Sequence, residues 1–375
     1  MKIKSLLIGS AAATVAATGA AQAADAIFVP EPEPMEYVRV CDVYGAGFFY
    51  IPGTETCLRI SGMVRYQIGF SDGDLGDNDG WRKYARAEVN FDARSETEYG
   101  TLGAYIRFRG QSSPGAGDPR FTADGDSLFG LNEGGAYSRS MNSFARLQHA
   151  IISLGGLSMG VKDSIWDTGL SGEQDVGFFP YDRVHFMQYD FAGANGFNAS
   201  IVLEEADDDY DYTPNVVGKV GVTQGWGSFD LYGAYDATAE EFAVKGILQA
   251  NLTERLFAGL MGQYESGISY YSVNPFDGIA STGLPFHLGA EWSAAAEIGY
   301  HFTPKLSASL GGSYYSELGH GIAATDVDAY NIGTTIDYEI VQDFNAKLSV
   351  NYASFDTPTG DFDQWHGFLR FQRNF

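Results

Sequence analysis

The chain has 375 residues, among them 47 Gly, 23 Tyr and 26 Phe but only 12 Pro and 2 Cys, and its formal net charge is −25. That acidity argues against nucleic acid as a partner, because phosphate contacts need clustered Lys and Arg. After the first residues there is no apolar run of the ~18 residues that a spanning helix needs. A soluble exported protein or a β-barrel remains, and the glycine and aromatic content favours many short strands with aromatic belts.

Residues 1–23 read as a signal peptide. Lys2 and Lys4 give a positive start, Leu6, Leu7 and Ile8 begin an Ala-rich core, and Ala21-Gln22-Ala23 is a small-x-small cleavage site. Residues 24–57 form a leader and a cysteine-bearing segment. The leader contains EPEPME, whose prolines cannot hold a strand ladder. The stretch 41–62, CDVYGAGFFYIPGTETCLRISG, carries both cysteines, Cys41 and Cys57. In an exported chain a lone pair is most simply a disulfide.

That stretch, with MVRYQIGF after it, resembles the start of the alphaproteobacterial general porins of the Brucella and Rhizobium type. The leader and the terminal Phe375 resemble that family too. The resemblance implies an all-β fold: a transmembrane antiparallel β-barrel of about 16 strands with an inward-folded constriction loop. It also implies a homotrimer in the bacterial outer membrane, bounded by lipid and lipopolysaccharide, that passes small hydrophilic solutes.

Residues 58–375 can be read strand by strand against that expectation. Leu58, Ile60, Val64, Tyr66, Ile68 and Phe70 alternate with Arg59, Ser61, Met63, Arg65 and Gln67. After the acidic loop SDGDLGDNDG, Trp81, Ala85, Ala87, Val89 and Phe91 alternate with Arg82, Arg86, Glu88, Asn90 and Asp92. Leu102, Ala104, Ile106 and Phe108 alternate with Tyr105, Arg107 and Arg109. A Gly/Ser/Asp-rich stretch at 111–142 follows, which the resemblance assigns to a latch over a neighbouring subunit. SFARLQHAIISLG, MGVKDSIWD and RVHFMQYDFA are strands with poor alternation. From Phe197 on, the alternation is regular to the closing QWHGFLRFQRNF. About sixteen strands result, and short turns alternate with long acidic loops, as expected when the two ends of a barrel face different compartments. Arg373 departs from the apolar pattern expected of the closing strand.

Period alone cannot separate a soluble sandwich from a porin, since the second simply turns the apolar face to lipid. The apolar faces here are numerous, uniform and tipped with aromatics, which favours the porin. The predicted lumenal wall is then basic, with Arg59, Arg65, Arg82, Arg86, Arg107, Arg109 and Arg146. General porins fold the loop after their fifth strand into the barrel. Here that loop is 168–182, with Glu173, Asp175 and Asp182, preceded by Asp163 and Asp167. Acids facing arginines across a narrow opening would set a transverse field that favours polar solutes. The loop is short, which predicts a relatively wide pore. The poor alternation between Ser143 and Ala192 would follow if those outer faces met protein in a trimer.

No catalytic order of Ser, His and Asp stands out, nor any metal or cofactor motif. The six histidines are scattered. Asp72, Asp74, Asp77 and Asp79 hint at calcium, but Gly76 falls where an EF-hand needs a ligand. A solute-specific channel of the same fold, or an adhesin or enzyme built on a barrel, are the other readings.

Overall fold

The computed structural model describes residues 39–74, 80–114, 141–175, 177–178, 183–205, 213–275, 289–319, 327–357 and 360–375. The expected signal peptide, most of the leader, the core of the 111–142 stretch expected to form a latch, and Asp182 lie outside the described residues.

A two-residue strand, β1 (Phe49–Tyr50), leads into the wall. The first wall strands are β2 (Cys57–Gly73), β3 (Gly80–Thr97), β4 (Gly100–Pro114), β5 (Met141–Leu154), β6 (Leu157–Asp163), β7 (Arg183–Ala192), β8 (Phe197–Glu205) and β9 (Asn215–Gln224). They continue with β10 (Gly227–Asp236), β11 (Glu241–Asn251), β12 (Leu256–Glu265), β13 (Trp292–Thr303), β14 (Leu306–Ser316), β15 (Asp328–Val341), β16 (Phe344–Thr357) and β17 (Gly360–Asn374). Each pairs antiparallel with the next, and β17 pairs back onto β2, with Phe371 opposite Tyr66 and Leu369 opposite Ile68. Phe375 completes the seam by exchanging two backbone hydrogen bonds with Gly62. Sixteen strands thus close without an edge, the condition for a sheet to survive in hydrocarbon. Arg373 is exposed on β17 and reaches the Asp343 carboxylate 3.5 Å away in the neighbouring turn. A charge on the apolar face is tolerated there because its long stem lets the head leave the lipid-facing band.

The polarity is inverted relative to a soluble core. Leu260, Ile298, Leu310 and Ile332 are half or more exposed, while Gln263, Glu297, Asn331 and Thr335 on the same strands are buried. The apolar face therefore looks outward. Aromatic pairs gather at both rims: Phe70–Trp81, Trp292–Tyr314 and Tyr352–Trp365 towards the long loops, Phe344–Phe371, Tyr300–Phe302 and Phe191–Phe197 beside the short turns. Interfacial belts have this placement.

The irregular stretch from Ser143 to Ala192 has a different cause from the one its sequence suggests. The outer faces of β5 and β7 are apolar, with Leu147, Ile152, Met187, Tyr189 and Phe191 exposed. The pattern slips in β5 because a bulge opposite Arg107 and Phe108 inserts Gln148 as an extra residue. In β7 it slips because Val184 and Phe186 are apolar and point inward, into a buried cluster inside the barrel. β6 also stops at Asp163, so the 164–167 residues read as strand belong to the following loop.

Cys41 and Cys57 are disulfide-bonded, with Cα atoms 6.0 Å apart. They pack with Phe48, Tyr44 and Tyr50 in a small separate core at the short-turn end of β2. Cys41→Ser with Cys57→Ser removes a closed loop of 16 residues' separation. Unfolding in guanidinium should reveal a loss of about 3 kcal/mol. An unchanged midpoint would show the small core to be self-supporting.

Candidate functional site

The chain turns inward where β6 ends. Ser164 donates to both carboxylate oxygens of Glu204 on β8, at 2.9 and 2.8 Å. Lys245 on β11 donates through Nζ to the carbonyls of Trp166 and Thr168, the latter at 3.1 Å. Gln249 reaches the Gly169 carbonyl at 3.2 Å. On β13, Glu297 accepts from the Ser171 backbone N–H at 2.8 Å and from its hydroxyl at 2.5 Å. Thr335 on β15 accepts from the Glu173 N–H, and Asn331 donates to the Gln174 carbonyl. Residues 164–175 therefore run along the inner wall from β8 round to β15. A loop without secondary structure must place its backbone polar groups somewhere. These wall side chains receive them, which explains why so many polar residues are buried here.

The sequence also makes room for the segment. A Cβ on Gly259 would stand 2.8 Å from the Leu170 side chain, so the wall glycine admits that leucine. Gly177 has φ +83 and approaches the Asn274 carbonyl so closely that a Cβ would meet it at 2.1 Å. No L residue fits that position without moving one of the two chains.

A second inward segment, not anticipated from sequence, meets the first. It follows β12, and residues 266–275 of it are described. Asp236 accepts from the Tyr270 N–H, Glu265 accepts from Val273 and Ala290, and Tyr271 donates to Glu204 at 3.2 Å. Glu204 thereby holds both segments. Trp166, Phe178, Tyr232, Tyr271, Tyr315 and Phe355 share one buried apolar cluster between them and the wall. The wide pore expected from a short loop allowed for one inward segment; the described residues include parts of two.

The five acids of the sequence reading separate. Glu173 bridges to two wall cations, Lys347 at 3.1 Å and Arg370 at 3.4 Å. Asp163 ends β6 and lies 3.0 Å from His149. Asp175 is buried and accepts the Leu170 N–H at 2.6 Å, folding the loop on itself. Burial pushes its carboxyl up to about 7, despite that bond. Asp167 is likewise raised to about 7, mainly by burial and next by Asp163. Asp182 is outside the described residues.

The seven arginines also separate. Arg59 pairs with Asp92 at 3.1 Å and lies 4.8 Å from the Phe48 ring, at the short-turn end rather than opposite the loop. Arg94, missed from sequence, joins it there with two bonds to Asp92. Arg109 pairs with Glu88 at 2.5 Å, and Arg107 lies 4.0 Å from the same carboxylate. Arg65 and Arg86 bond instead to amides, Gln372 at 2.9 Å and Gln111 at 2.7 Å. Arg82 is half-buried near the long-loop end of β3, and Arg146 stands directly opposite Arg109. Lys347 and Arg370 were legible as polar-face residues of β16 and β17, but only the barrel closure carries them to the arginine wall.

A closed sixteen-strand barrel with a lipid-type exterior and a polar lumen narrowed from within defines an outer-membrane porin. Comparison with known proteins agrees. The sequence profile of the family described as Porin subfamily matches residues 25–367. Porin Omp2a of Brucella suis biovar 1 is 38% identical over the full length of both chains, and Porin Omp2b of the same organism 36%. Among solved structures, the outer membrane channel DcaP of Acinetobacter baumannii superposes with a TM-score of 0.59 at 13% identity, covering 87% of this chain and 99% of that one. The chain belongs to the Porin subfamily family. It is a channel of the bacterial outer membrane for passive diffusion of small hydrophilic solutes.

Proposed function

We propose that the 164–178 segment and the wall of β2–β5, β16 and β17 form the constriction, and that solutes pass along this side of the lumen. The carrying observation is Glu173, placed by the inward segment between Lys347 and Arg370. The other side of the lumen is taken up by the buried cluster around Trp166 and Tyr271. Oppositely charged groups across a narrow, weakly screened gap orient water and dipolar solutes and disfavour apolar ones. Of the residues read from sequence, Arg65, Arg86, Arg107, Arg109 and Arg146 belong to this wall. Arg59 serves the disulfide-closed segment, and Asp167 and Asp175 serve the fold of the loop.

The chain passes solutes without reacting with them and needs no cofactor or metal for it. We further propose the homotrimer that the family resemblance implies, surrounded by lipid and lipopolysaccharide. Planar-bilayer recording tests both readings. Unitary steps in triplets, growing with salt and not saturated by sugars in a swelling assay, are expected. Saturation by one sugar would favour a solute-specific channel, and single steps from an SDS-sensitive monomer would remove the trimer.

A further inference from the structure

Cross-strand pairing on the lumenal wall follows two patterns. In the first, opposite charges face each other directly: Arg59 opposite Asp92, and Glu88 opposite Arg109. In the second, like charges do: Arg65 opposite Arg86, Lys347 opposite Arg370, and Arg109 opposite Arg146. Directly opposite residues on one face have Cβ atoms about 5 Å apart, and like charges there are destabilising. Glu173 lies between Lys347 and Arg370, and Glu88 pairs with Arg109, so those two pairs have a carboxylate at hand.

The Arg65–Arg86 pair is the sharpest case. Each uses Nε on a neutral amide oxygen, Gln372 and Gln111, in the same cross-strand row. Among the described residues neither has a carboxylate within ion-pair distance. Their Nη nitrogens bond to no described residue and are not among the buried orphan atoms. Arg370 adds a third guanidinium, bonded to Gln67 at 2.7 Å and bridged only at 3.4 Å to Glu173. Beside Arg65 and Arg370, one strand from Arg86, opens a cavity of about 480 Å³, whose lining also includes Lys347 and Gln372 and the acids Asp337 and Glu339. It lies between the constriction and the short-turn mouth, since its lining also includes the 303–305 turn.

We propose that Arg65, Arg86 and Arg370 form a binding site for a small oxyanion, a phosphate or carboxylate group, on the short-turn side of the constriction. Guanidinium edges match such groups two oxygens at a time, and an anion between Arg65 and Arg86 would relieve their repulsion. The channel would then concentrate anions locally although the chain carries a net charge of −25. The acids Asp72 and Asp74 stand at the other end of β2, at the far rim. Charges more than about 10 Å away through electrolyte are largely screened, so the guanidiniums next to the solute dominate.

The inference rests on the channel reading, and one recording separates the two. Single channels in a KCl gradient should reverse on the anion-preferring side. Inorganic phosphate, and in a second arm succinate, should reduce the unitary chloride current in the millimolar range. In Arg65→Gln with Arg86→Gln, half-block should need ~tenfold more anion, about 1.4 kcal/mol of binding. Lys83→Gln, an exposed lysine on the opposite parity of β3, should match the parent. Block by phosphate but not succinate would assign the site to phosphate, and the reverse to carboxylates. Normal unitary steps that prefer potassium and ignore both anions would overturn the anion site and leave the channel standing. An equal block in the parent and the double variant would overturn it too. No steps at all from correctly folded barrel would defeat the channel itself.

Discussion

Trp166→Ala should open and loosen the pore while leaving the barrel closed. Trp166 is fully buried, with its ring centroid 5.4 Å from Tyr271, 6.3 Å from Tyr232 and 4.7 Å from the Lys245 ammonium. Removing a buried Trp side chain costs about 3–5 kcal/mol. That loss falls on the contact between the inward segments and the wall, because the sixteen-strand ladder makes its own backbone bonds. The polar anchors to Glu204, Glu297 and Thr335 remain, so the segment should become mobile rather than leave the lumen. Expected results are a larger, noisier unitary conductance and little change in the heating needed to unfold the barrel. Trp365→Ala, which truncates an aromatic half-exposed at the outer rim, should leave conductance unaltered. If Trp166→Ala conducts quietly at the parental level, the apolar cluster does not set the lumen's shape.

The barrel was legible because its rule is local. Lipid on one side and water on the other force a period of two, and Leu256, Ala258, Leu260 and Tyr264 against Gln263 and Glu265 repeat it. The rule fails where the water side is not water. Val184 and Phe186 face inward-folded chain, so β7 shows apolar residues on both faces. The loop after the fifth wall strand could be counted to, and Glu173 found. Which acids would reach across could not be read, since Asp175 turns back to its own Leu170 N–H. Nor could sequence show that the stretch after β12 also enters the barrel. Its Ser and Tyr residues look like any exposed loop until Glu204 and Glu265 are seen to hold them.

The same burial makes the inward segment respond to pH. Asp175 is raised from 3.8 to about 7, because burial penalises its charge more than the Leu170 N–H helps it. Glu173 and Glu297 nearby push in the same direction. Between pH 4 and 7 the unfolded chain has released this proton while the folded chain still holds it. Stability therefore falls as pH rises through that window and levels off above it. About three units correspond to roughly 4 kcal/mol as an upper bound. Asp175→Asn keeps an oxygen for the Leu170 N–H and removes the charge. It should stabilise the protein by up to that amount at pH 8 and by nothing measurable at pH 4, read from guanidinium unfolding in detergent at both values. Asp167, raised to about 7 by burial first and Asp163 second, with Lys245 opposing, should add an effect of the same sign over the same window. An Asp175→Asn gain of equal size at both pH values would mean that the substitution acts through packing, and that the carboxyl is already ionised in the folded loop at pH 4.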